Sequence, residues 1–276
     1  MRNLLLKISY DGKRYYGWQV QQNAVTVQEV FQTALKAVLG IQPALKGCSR
    51  TDAGVHAYAY YISMQLEHPI PEPRLIAALN RFLPPDIAVQ SCVEVPQGFH
   101  ARYSCIGKEY VYKLWNHAVR DPFLDGYAYH YRYPLNEALL NCAAQQYVGA
   151  HDFTSFCTLD QRKAGSLVRC VTNAAVTRSG DTVLFTVAAD GFLYNMVRIM
   201  VGTLLRVAQG KFQPEEIPKI LSAKNRQAAG PTAPACGLYL NRVFYPKEIV
   251  TADNAFHSKK GANRNGSTQR QWTTTL

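Results

Sequence analysis

The order of the apolar residues limits this chain to folds in which helices pack on a sheet. Between residues 3 and 95, strand-type alternation and helical spacing of apolar residues follow one another along the chain. The predicted segments are a strand at 3–10, a helix that begins at the capping box of Thr26 and Glu29, a strand at 58–66, a helix at 74–82 and a strand at 87–95. One face of the second strand is expected to carry five alternating residues: Tyr58, Tyr60, Ile62, Met64 and Leu66.

The second half of the chain also alternates between strand-type and helix-type segments, with a different sequence. It predicts a strand at 108–115, a helix that ends at Gly149, a hairpin at 168–189, a long apolar helix at 192–209, a shorter helix at 214–223 and a last strand at 237–245. We therefore predict an α+β fold of two α/β halves that resemble ferredoxin-like sheets, with residues 1–104 in the first half and 105–246 in the second. Residues 247–276 are polar and basic, which predicts a disordered tail.

The charge of the chain indicates a polyanionic partner. Its 276 residues include 30 Lys and Arg against 19 Asp and Glu, a formal net charge of +11. The last 30 residues hold five of the basic and two of the acidic residues, so residues 1–246 keep a net charge of +8. A basic folded region is typical of proteins that bind RNA, although soluble proteins without such a partner also have it.

The cysteines and the apolar runs indicate the compartment. The seven cysteines are scattered and form no CxxC pair, which favours free thiols in a reducing cytoplasm over disulfides or zinc. No apolar run approaches the length of a membrane span, and the first residues show no signal-peptide pattern. His56, His100 and His151 lack the spacing of metal ligands. We expect a cytoplasmic protein without a membrane partner or a metal.

The segment GCSRTDAGVHA, at residues 47–57, carries several chemically active side chains in a short loop. It brings Arg50, Asp52 and His56 close together in sequence, with Gly54 among them. One interpretation is a plain turn, because Asp and Gly favour turns for backbone reasons alone. The other is a site at which the Asp52 carboxylate approaches a ligand closely. The segment alone leaves both interpretations open.

Arg198 stands in the apolar sequence of the long predicted helix, between Val197 and Ile199. Arginine is rarely buried unless it is paired. Its guanidinium could snorkel to the helix edge, or it could pair with a carboxylate from another segment, for which Asp52 is the obvious candidate. Such a pair would keep the acid ionised and fixed in direction. This helix alone favours neither alternative.

The segment GCSRTDAGVHA is similar to the signature of the TruA family of tRNA pseudouridine synthases. Five further segments in the expected order strengthen the resemblance: YDGKRYYGWQVQ, FHARYSCIGKEYVYKL, GAHDFTSF, FLYNMVRIMVGTL and AGPTAPACGLYLNRVFYP. Together the six segments extend from about residue 9 to residue 246. The chain departs from the family pattern at Cys48 and Ser49, where the family often has Ala and Gly, and this departure touches no catalytic position.

The resemblance implies a fold, an activity and partners. The fold is the pseudouridine synthase fold, with two α/β halves of mixed and antiparallel sheets around a central basic cleft. The activity is that of an isomerase of the intramolecular transferase type, which converts uridine to pseudouridine at positions 38, 39 and 40 in the anticodon stem-loop of tRNA. The resemblance also implies a homodimer, no metal and no organic cofactor. DNA is not an expected partner.

The resemblance also assigns roles to five residues of this chain. The family's catalytic aspartate corresponds to Asp52, its active-site tyrosine to Tyr110, and the arginine that pairs with the aspartate to Arg198. The arginine that helps to flip out the target base corresponds to Arg50. A leucine that packs against the base corresponds to Leu238.

The reaction explains why these residue types are needed. The N1–C1′ bond must break, the uracil must rotate, and C5 must bond to C1′. An ionised Asp52 could capture or stabilise the positive C1′, or it could remove a ribose proton, and the sequence does not choose between these roles. A phenol at Tyr110 could stack on the base and accept the C5 proton, although a tyrosine in a strand most often only packs in the sheet.

A second function class is a ferredoxin-like RNA-binding module that folds or chaperones tRNA without chemistry. A module of this kind needs no buried pair of a carboxylate and an arginine. The combined presence of Asp52, Tyr110 and Arg198 therefore favours the enzyme. The segment DGKRYYGW, with its basic and aromatic residues, suits RNA contact in either case, or it forms an ordinary turn with packed aromatic rings.

Overall fold

The computed structural model describes residues 1–158 and 165–246. In this part of the chain, every helix is too short or too polar to span a bilayer. The tail predicted to be disordered, at 247–276, lies outside the described residues.

Strands and helices alternate along the described part of the chain much as the sequence predicts. The strands are β1 (Arg2–Tyr10), β2 (Lys46–Gly47), β3 (His56–Leu66), β4 (Ile87–Val95), β5 (Gly107–Trp115), β6 (Tyr129–His130), β7 (Gly149–Asp152), β8 (Val168–Ser179), β9 (Thr182–Ala189) and β10 (Leu238–Phe244). The α-helices are α1 (Val27–Leu39), α2 (Glu72–Phe82), α3 (Glu137–Gln145), α4 (Met196–Ala208) and α5 (Ile217–Ser222). Short 3-10 helices lie at Pro122–Leu124, Thr154–Phe156, Pro214–Glu216, Arg226–Ala228 and Ala235–Gly237.

The strands form one sheet that contains the same arrangement twice. Its order is β4-β1-β3-β10-β5-β9-β8-β7, with β2 paired to β3 and β6 paired to β5. The first half contributes β4-β1-β3-β2, and the second contributes β10-β5-β9-β8. When the strands of each set are counted in chain order, the fourth lies beside the first, the first beside the third, and the third beside the second. This is the ferredoxin-like order. The predicted α+β fold of two ferredoxin-like halves is therefore confirmed.

The last strand joins the two halves. β10 pairs antiparallel with β5 along most of its length and parallel with the start of β3, where Tyr239 lies opposite His56. The parallel contact is short, because β3 pairs with β2 further along the same edge. This seam between β3 and β10 lies directly after the GCSRTDAGVHA loop, so the loop faces residues of the second half. The chain boundary between residues 104 and 105 stays a prediction.

The buried side chains of both halves form one continuous core. Helix α1 begins at Thr26, whose side chain accepts a hydrogen bond from the backbone N–H of Glu29, and it ends at Gly40 in the left-handed conformation. Helix α4 is buried on nearly every side, as its apolar sequence predicts. Burial of this kind stabilises the fold by roughly 25 cal/mol for each Å² of apolar surface removed from water.

Three details of the sequence prediction are wrong. The helix predicted to end at Gly149 ends at Gln145, and Gly149 begins β7. Tyr60 is fully buried, whereas Tyr58 is exposed and stacks on Tyr239. The cause is an irregularity in β3: its pairing with β1 shifts by one residue between the Ile8 and Tyr10 positions, so the alternation does not continue through Tyr58. The long helix begins at Met196 and not at residue 192, because Asn195 adopts the left-handed conformation with a φ of 63°.

Candidate active site

A cleft of about 940 Å³ opens beside the seam between the two halves. Its walls come from the loop between β2 and β3, from β5, from the segment that leads into α4 and from the start of β10. Among the described residues its lining contains one acidic side chain, Asp52, and five basic ones: Arg50, Arg102, Lys108, Arg169 and Arg198. The cleft is therefore basic, and its field attracts polyanions.

An arginine from the second half holds the carboxylate of Asp52. Arg198 Nη1 donates to Asp52 Oδ2 at 3.0 Å and to Asn195 Oδ1 at 2.9 Å, and Arg198 Nε donates to the carbonyl of Ala233 at 2.7 Å. The side chains of Asp52 and Arg198 are 27% and 18% exposed, so the pair is accessible from the cleft. The structure thus contains the predicted ion pair and not a snorkelling arginine. Among the described residues nothing donates to Asp52 Oδ1, which leaves that oxygen available to a ligand.

A loop that contains Pro231 and Ala233 holds Arg198 in position. The backbone N–H of Ala233 donates to the carbonyl of Arg198 at 3.1 Å, so Ala233 contacts both the backbone and the guanidinium of this residue. The loop reaches the helix at Gly202, where an added Cβ would lie 1.7 Å from the Pro231 carbonyl oxygen. Only glycine permits this approach, and the approach brings the Ala233 carbonyl within reach of Arg198.

Buried aromatic residues support the Asp52 loop from below. The Tyr60 hydroxyl donates to the carbonyl of Ser49, and the Tyr10 hydroxyl lies 2.8 Å from Thr51 Oγ1. The Tyr60 ring stacks on Trp18 with centroids 4.3 Å apart. Both hydroxyls therefore satisfy polar groups of the loop, one the Ser49 backbone and the other the Thr51 side chain, on the two sides of Arg50.

Tyr110 and Leu238 line the cleft from adjacent strands. In the register of β5 and β10, Leu238 lies opposite Tyr112 and Leu240 lies opposite Tyr110, so Tyr110 and Leu238 share a face of the sheet. Phe192 meets the Tyr110 ring edge-on at 5.0 Å. Burial raises the pKa of the Tyr110 phenol well above its ordinary value, so the phenol is protonated at neutral pH.

Arg50 is the exposed basic residue of the loop. It lines the cleft together with Asp52, and within the described part of the chain its guanidinium makes no hydrogen bond or ion pair. A free guanidinium at the mouth of a basic cleft can bind a phosphate or stack on a base.

A scan against protein-family models matches the chain to the family described as tRNA pseudouridine synthase, over residues 7–104 and 143–246. The chain belongs to the tRNA pseudouridine synthase family. The two matched stretches fall in both ferredoxin-like halves. They include Arg50, Asp52, Arg198 and Leu238 but not Tyr110. The part between them contains β5, the 3-10 helix at Pro122–Leu124, β6 and the start of α3.

Curated relatives agree with this family assignment. Proteins named tRNA pseudouridine synthase A are 44% identical over 245 residues in Thermoanaerobacter sp. (strain X514) and 44% identical over 249 residues in Acetivibrio thermocellus, and each match covers 89% of this chain and 100% of the relative. The protein of that name in Halalkalibacterium halodurans is 43% identical over 243 residues, 88% of this chain and 92% of the relative. A crystal structure of a Cbf5-Nop10-Gar1 complex overlaps 93% of this chain and 66% of its own chain with a TM-score of 0.35 at 12% identity, which is too weak to support an argument.

Sequence reasoning missed several residues of this tRNA pseudouridine synthase cleft. Phe192 and Tyr194 line it because the chain ahead of α4 is not helical, whereas the sequence pattern placed both residues inside the helix. Arg169 comes from β8, and no local signal distinguishes it from any other exposed arginine. In DGKRYYGW, Tyr15 and Trp18 are buried and only Tyr16 is exposed in the cleft, which resolves the question left open for these aromatic residues.

Replacing Arg198 with Met tests the contribution of the ion pair. Loss of one partner of a fully buried pair costs about 3–5 kcal/mol, and the partial exposure of this pair reduces the expected loss of unfolding free energy to about 2 kcal/mol. The uridine isomerisation should slow by about 100-fold, because Asp52 loses its fixed direction. Urea denaturation and single-turnover assays on tRNA measure the two effects.

The matched control is Arg206→Met, at the other end of the same helix. Among the described residues the Arg206 guanidinium bonds only to the side chain of Gln209, and Arg206 is not one of the lining residues, so its replacement should change the unfolding free energy by no more than about 0.5 kcal/mol. Equal stability and equal turnover in Arg198→Met and the parent protein would show that the pair has no role.

Proposed function

We propose that this protein converts uridine to pseudouridine at positions 38, 39 and 40 in the anticodon stem-loop of tRNA. Membership in the tRNA pseudouridine synthase family supports an isomerase that acts on tRNA. The observation that carries the proposal is Asp52, the single carboxylate among the described lining residues, which Arg198 holds in a cleft whose other charged side chains in the described chain are basic. A tRNA-binding module without chemistry would need no such pair.

Asp52 is the proposed catalytic residue. Cleavage of the N1–C1′ bond builds positive character at C1′, and an ionised carboxylate stabilises it by covalent capture or acts by removing a ribose proton. The uracil leaves as a stabilised anion, so a second carboxylic acid is unnecessary. This fits a cleft whose described lining contains a single carboxylate. Arg198 acts by fixing Asp52 and leaving its Oδ1 free.

Tyr110 and Leu238 are the proposed contacts of the flipped base. Both line the cleft from one face of the sheet, and both are buried apart from the surface that they present to it. The Tyr110 ring can stack on the uracil, and its oxygen can accept the C5 proton after C5 has bonded to C1′. Leu238 excludes water, which would otherwise hydrolyse the intermediate to an abasic site.

The basic side chains of the cleft are the proposed contacts of the tRNA backbone. Arg102, Lys108 and Arg169 line it with Arg50, and the cleft is wide enough to accept a nucleotide extruded from the stem-loop. We also propose that the protein is a homodimer that uses neither a metal nor an organic cofactor, and sedimentation equilibrium measures its mass. The seven cysteines are free thiols, which suits a cytoplasmic site of action.

Asp52→Asn tests the function directly. We expect the variant to bind tRNA with the affinity of the parent protein but to form no pseudouridine, because an amide lacks the charge that C1′ requires. The measurement is a map of pseudouridine in total tRNA after incubation with each protein, together with tritium release from C5-labelled uridine. The control is Asp181→Asn, an exposed residue of the turn between β8 and β9.

The parent protein should modify only positions 38, 39 and 40. Pseudouridine at other positions alone would contradict the proposed substrate, and turnover by Asp52→Asn would contradict the catalytic assignment.

Arg50→Lys tests how the base leaves the stem. A guanidinium can fill the space of the flipped nucleotide, which offsets an unstacking cost of a few kcal/mol, whereas an ammonium keeps the charge but loses the planar shape. We expect the single-turnover rate on intact tRNA to fall far more than the affinity. Rates and dissociation constants across a salt series measure both quantities, with Arg102→Lys as the control from the same cleft.

If Arg50 only contacts phosphates, the affinity of Arg50→Lys should fall with the loss of the forked geometry while the saturated rate stays unchanged. That result would exclude the role in base flipping.

A further inference from the structure

The hydroxyl of Ser49 lies between a backbone carbonyl and the phenol of Tyr110. Ser49 Oγ is 3.3 Å from the Arg50 carbonyl oxygen and 3.3 Å from the Tyr110 hydroxyl. Ser49 also lines the cleft, and it lies three residues before Asp52 in the same loop. The Tyr110 hydroxyl has no other hydrogen-bond partner among residues 1–158 and 165–246.

The direction of these two hydrogen bonds follows from their acceptors. A carbonyl oxygen can only accept, so the Ser49 hydroxyl donates its one proton to the Arg50 carbonyl. Ser49 Oγ must then accept from the Tyr110 hydroxyl. With its proton aimed at Ser49, the phenol oxygen is left with its lone pairs for a group that enters the cleft. The serine thus makes Tyr110 an acceptor toward the ligand.

The position of Ser49 is fixed by its backbone. Its carbonyl accepts from the Tyr60 hydroxyl, and the preceding Cys48 donates its backbone N–H to the Tyr61 carbonyl at 2.9 Å. Phe192 packs against the edge of the Tyr110 ring and carries no polar atom that could take the phenol proton. A side chain with a hydroxyl at position 49 is therefore the group that can both orient the phenol and receive its proton.

We propose that Ser49 is a positioning residue for the removal of the C5 proton and that it receives the phenol proton of Tyr110 in that step. The proposal rests on the proposed function, in which Tyr110 accepts the C5 proton. It adds a defined direction and a defined exit for that proton, from Tyr110 through Ser49 to water in the cleft.

The step balances in atoms and electrons. The C5–H bond breaks, and its electron pair forms the C5=C6 double bond while the pair of the C6=N1 bond moves onto N1. The C5 proton bonds to the Tyr110 oxygen as the phenol proton moves to Ser49 Oγ. The Ser49 hydroxyl then turns from the Arg50 carbonyl toward the cleft, and the proton that it held passes to water. Water supplies one proton to N1. One proton leaves the base and one is added to it, so no oxidant or reductant is needed.

The experiment measures the isotope effect at C5. The full-length parent protein, Ser49→Ala, Ser49→Gly and Ser49→Thr are assayed in single turnover on transcribed tRNA that carries either hydrogen or deuterium at C5 of its uridines. Ser49→Ala and Ser49→Gly should lower the rate about tenfold, less than the loss of a full general base. Their ratio of hydrogen to deuterium rates should exceed that of the parent protein, because proton removal becomes slower relative to bond cleavage. Ser49→Thr keeps the hydroxyl and should restore both values.

Thr51→Val is the matched control. It removes a hydroxyl of the same loop that contacts Tyr10 and not Tyr110, so its isotope effect should equal that of the parent protein. An isotope effect in Ser49→Ala and Ser49→Gly equal to that of the parent protein would overturn the proposal, whatever the change in rate.

Tyr110→Phe separates this outcome from a failure of the proposed function. If Tyr110→Phe turns over at the parent rate, the role of Tyr110 itself is wrong. If Tyr110→Phe is inactive and the Ser49 variants keep the parent isotope effect, only the role of Ser49 is wrong.

Discussion

The ion pair between Asp52 and Arg198 is the interaction on which the geometry of this site depends. The two residues are 146 positions apart in the chain and belong to different ferredoxin-like halves. They meet because β10 crosses to the edge of β3, which brings the loop before β3 to the start of α4. Because both side chains are partly exposed, the pair contributes modestly to stability. Its main effect is to fix one carboxylate in one direction in a basic cleft.

Each partner of this pair has its own rigid support. Arg198 is held on both its backbone and its guanidinium by Ala233, in a loop that reaches helix α4 only because residue 202 is glycine. The Asp52 loop rests on the hydroxyls of two buried tyrosines, Tyr10 and Tyr60. A site built from groups that are themselves hydrogen-bonded loses little entropy when its ligand binds, and this favours a fixed geometry for the reaction. The same loop also carries the Ser49 hydroxyl that orients Tyr110.

Most of the fold could be predicted from the sequence, because periodicity and caps are local signals. The strands, the hairpin and the order of helices follow from spacing alone, and the resemblance to the family supplied the five site residues. Spacing could not decide between pairing and snorkelling for Arg198, since that choice depends on a segment far away in the chain. It also placed Tyr58 on the wrong face, because a shift in strand pairing leaves no mark in the alternation. The hydroxyl contact between Ser49 and Tyr110 depends on the meeting of two halves, so no pattern within either half could predict it.

A double-mutant cycle on the unfolding free energy tests the central claim, that Arg198 acts on Asp52 across the seam. The parent protein, Asp52→Asn, Arg198→Met and the double variant are denatured with urea, and the coupling energy is the difference between the double change and the sum of the single changes. We predict that the residues stabilise each other by about 1–2 kcal/mol, within the range for side chains in direct contact. A coupling energy of zero, with all four proteins folded, would contradict the account.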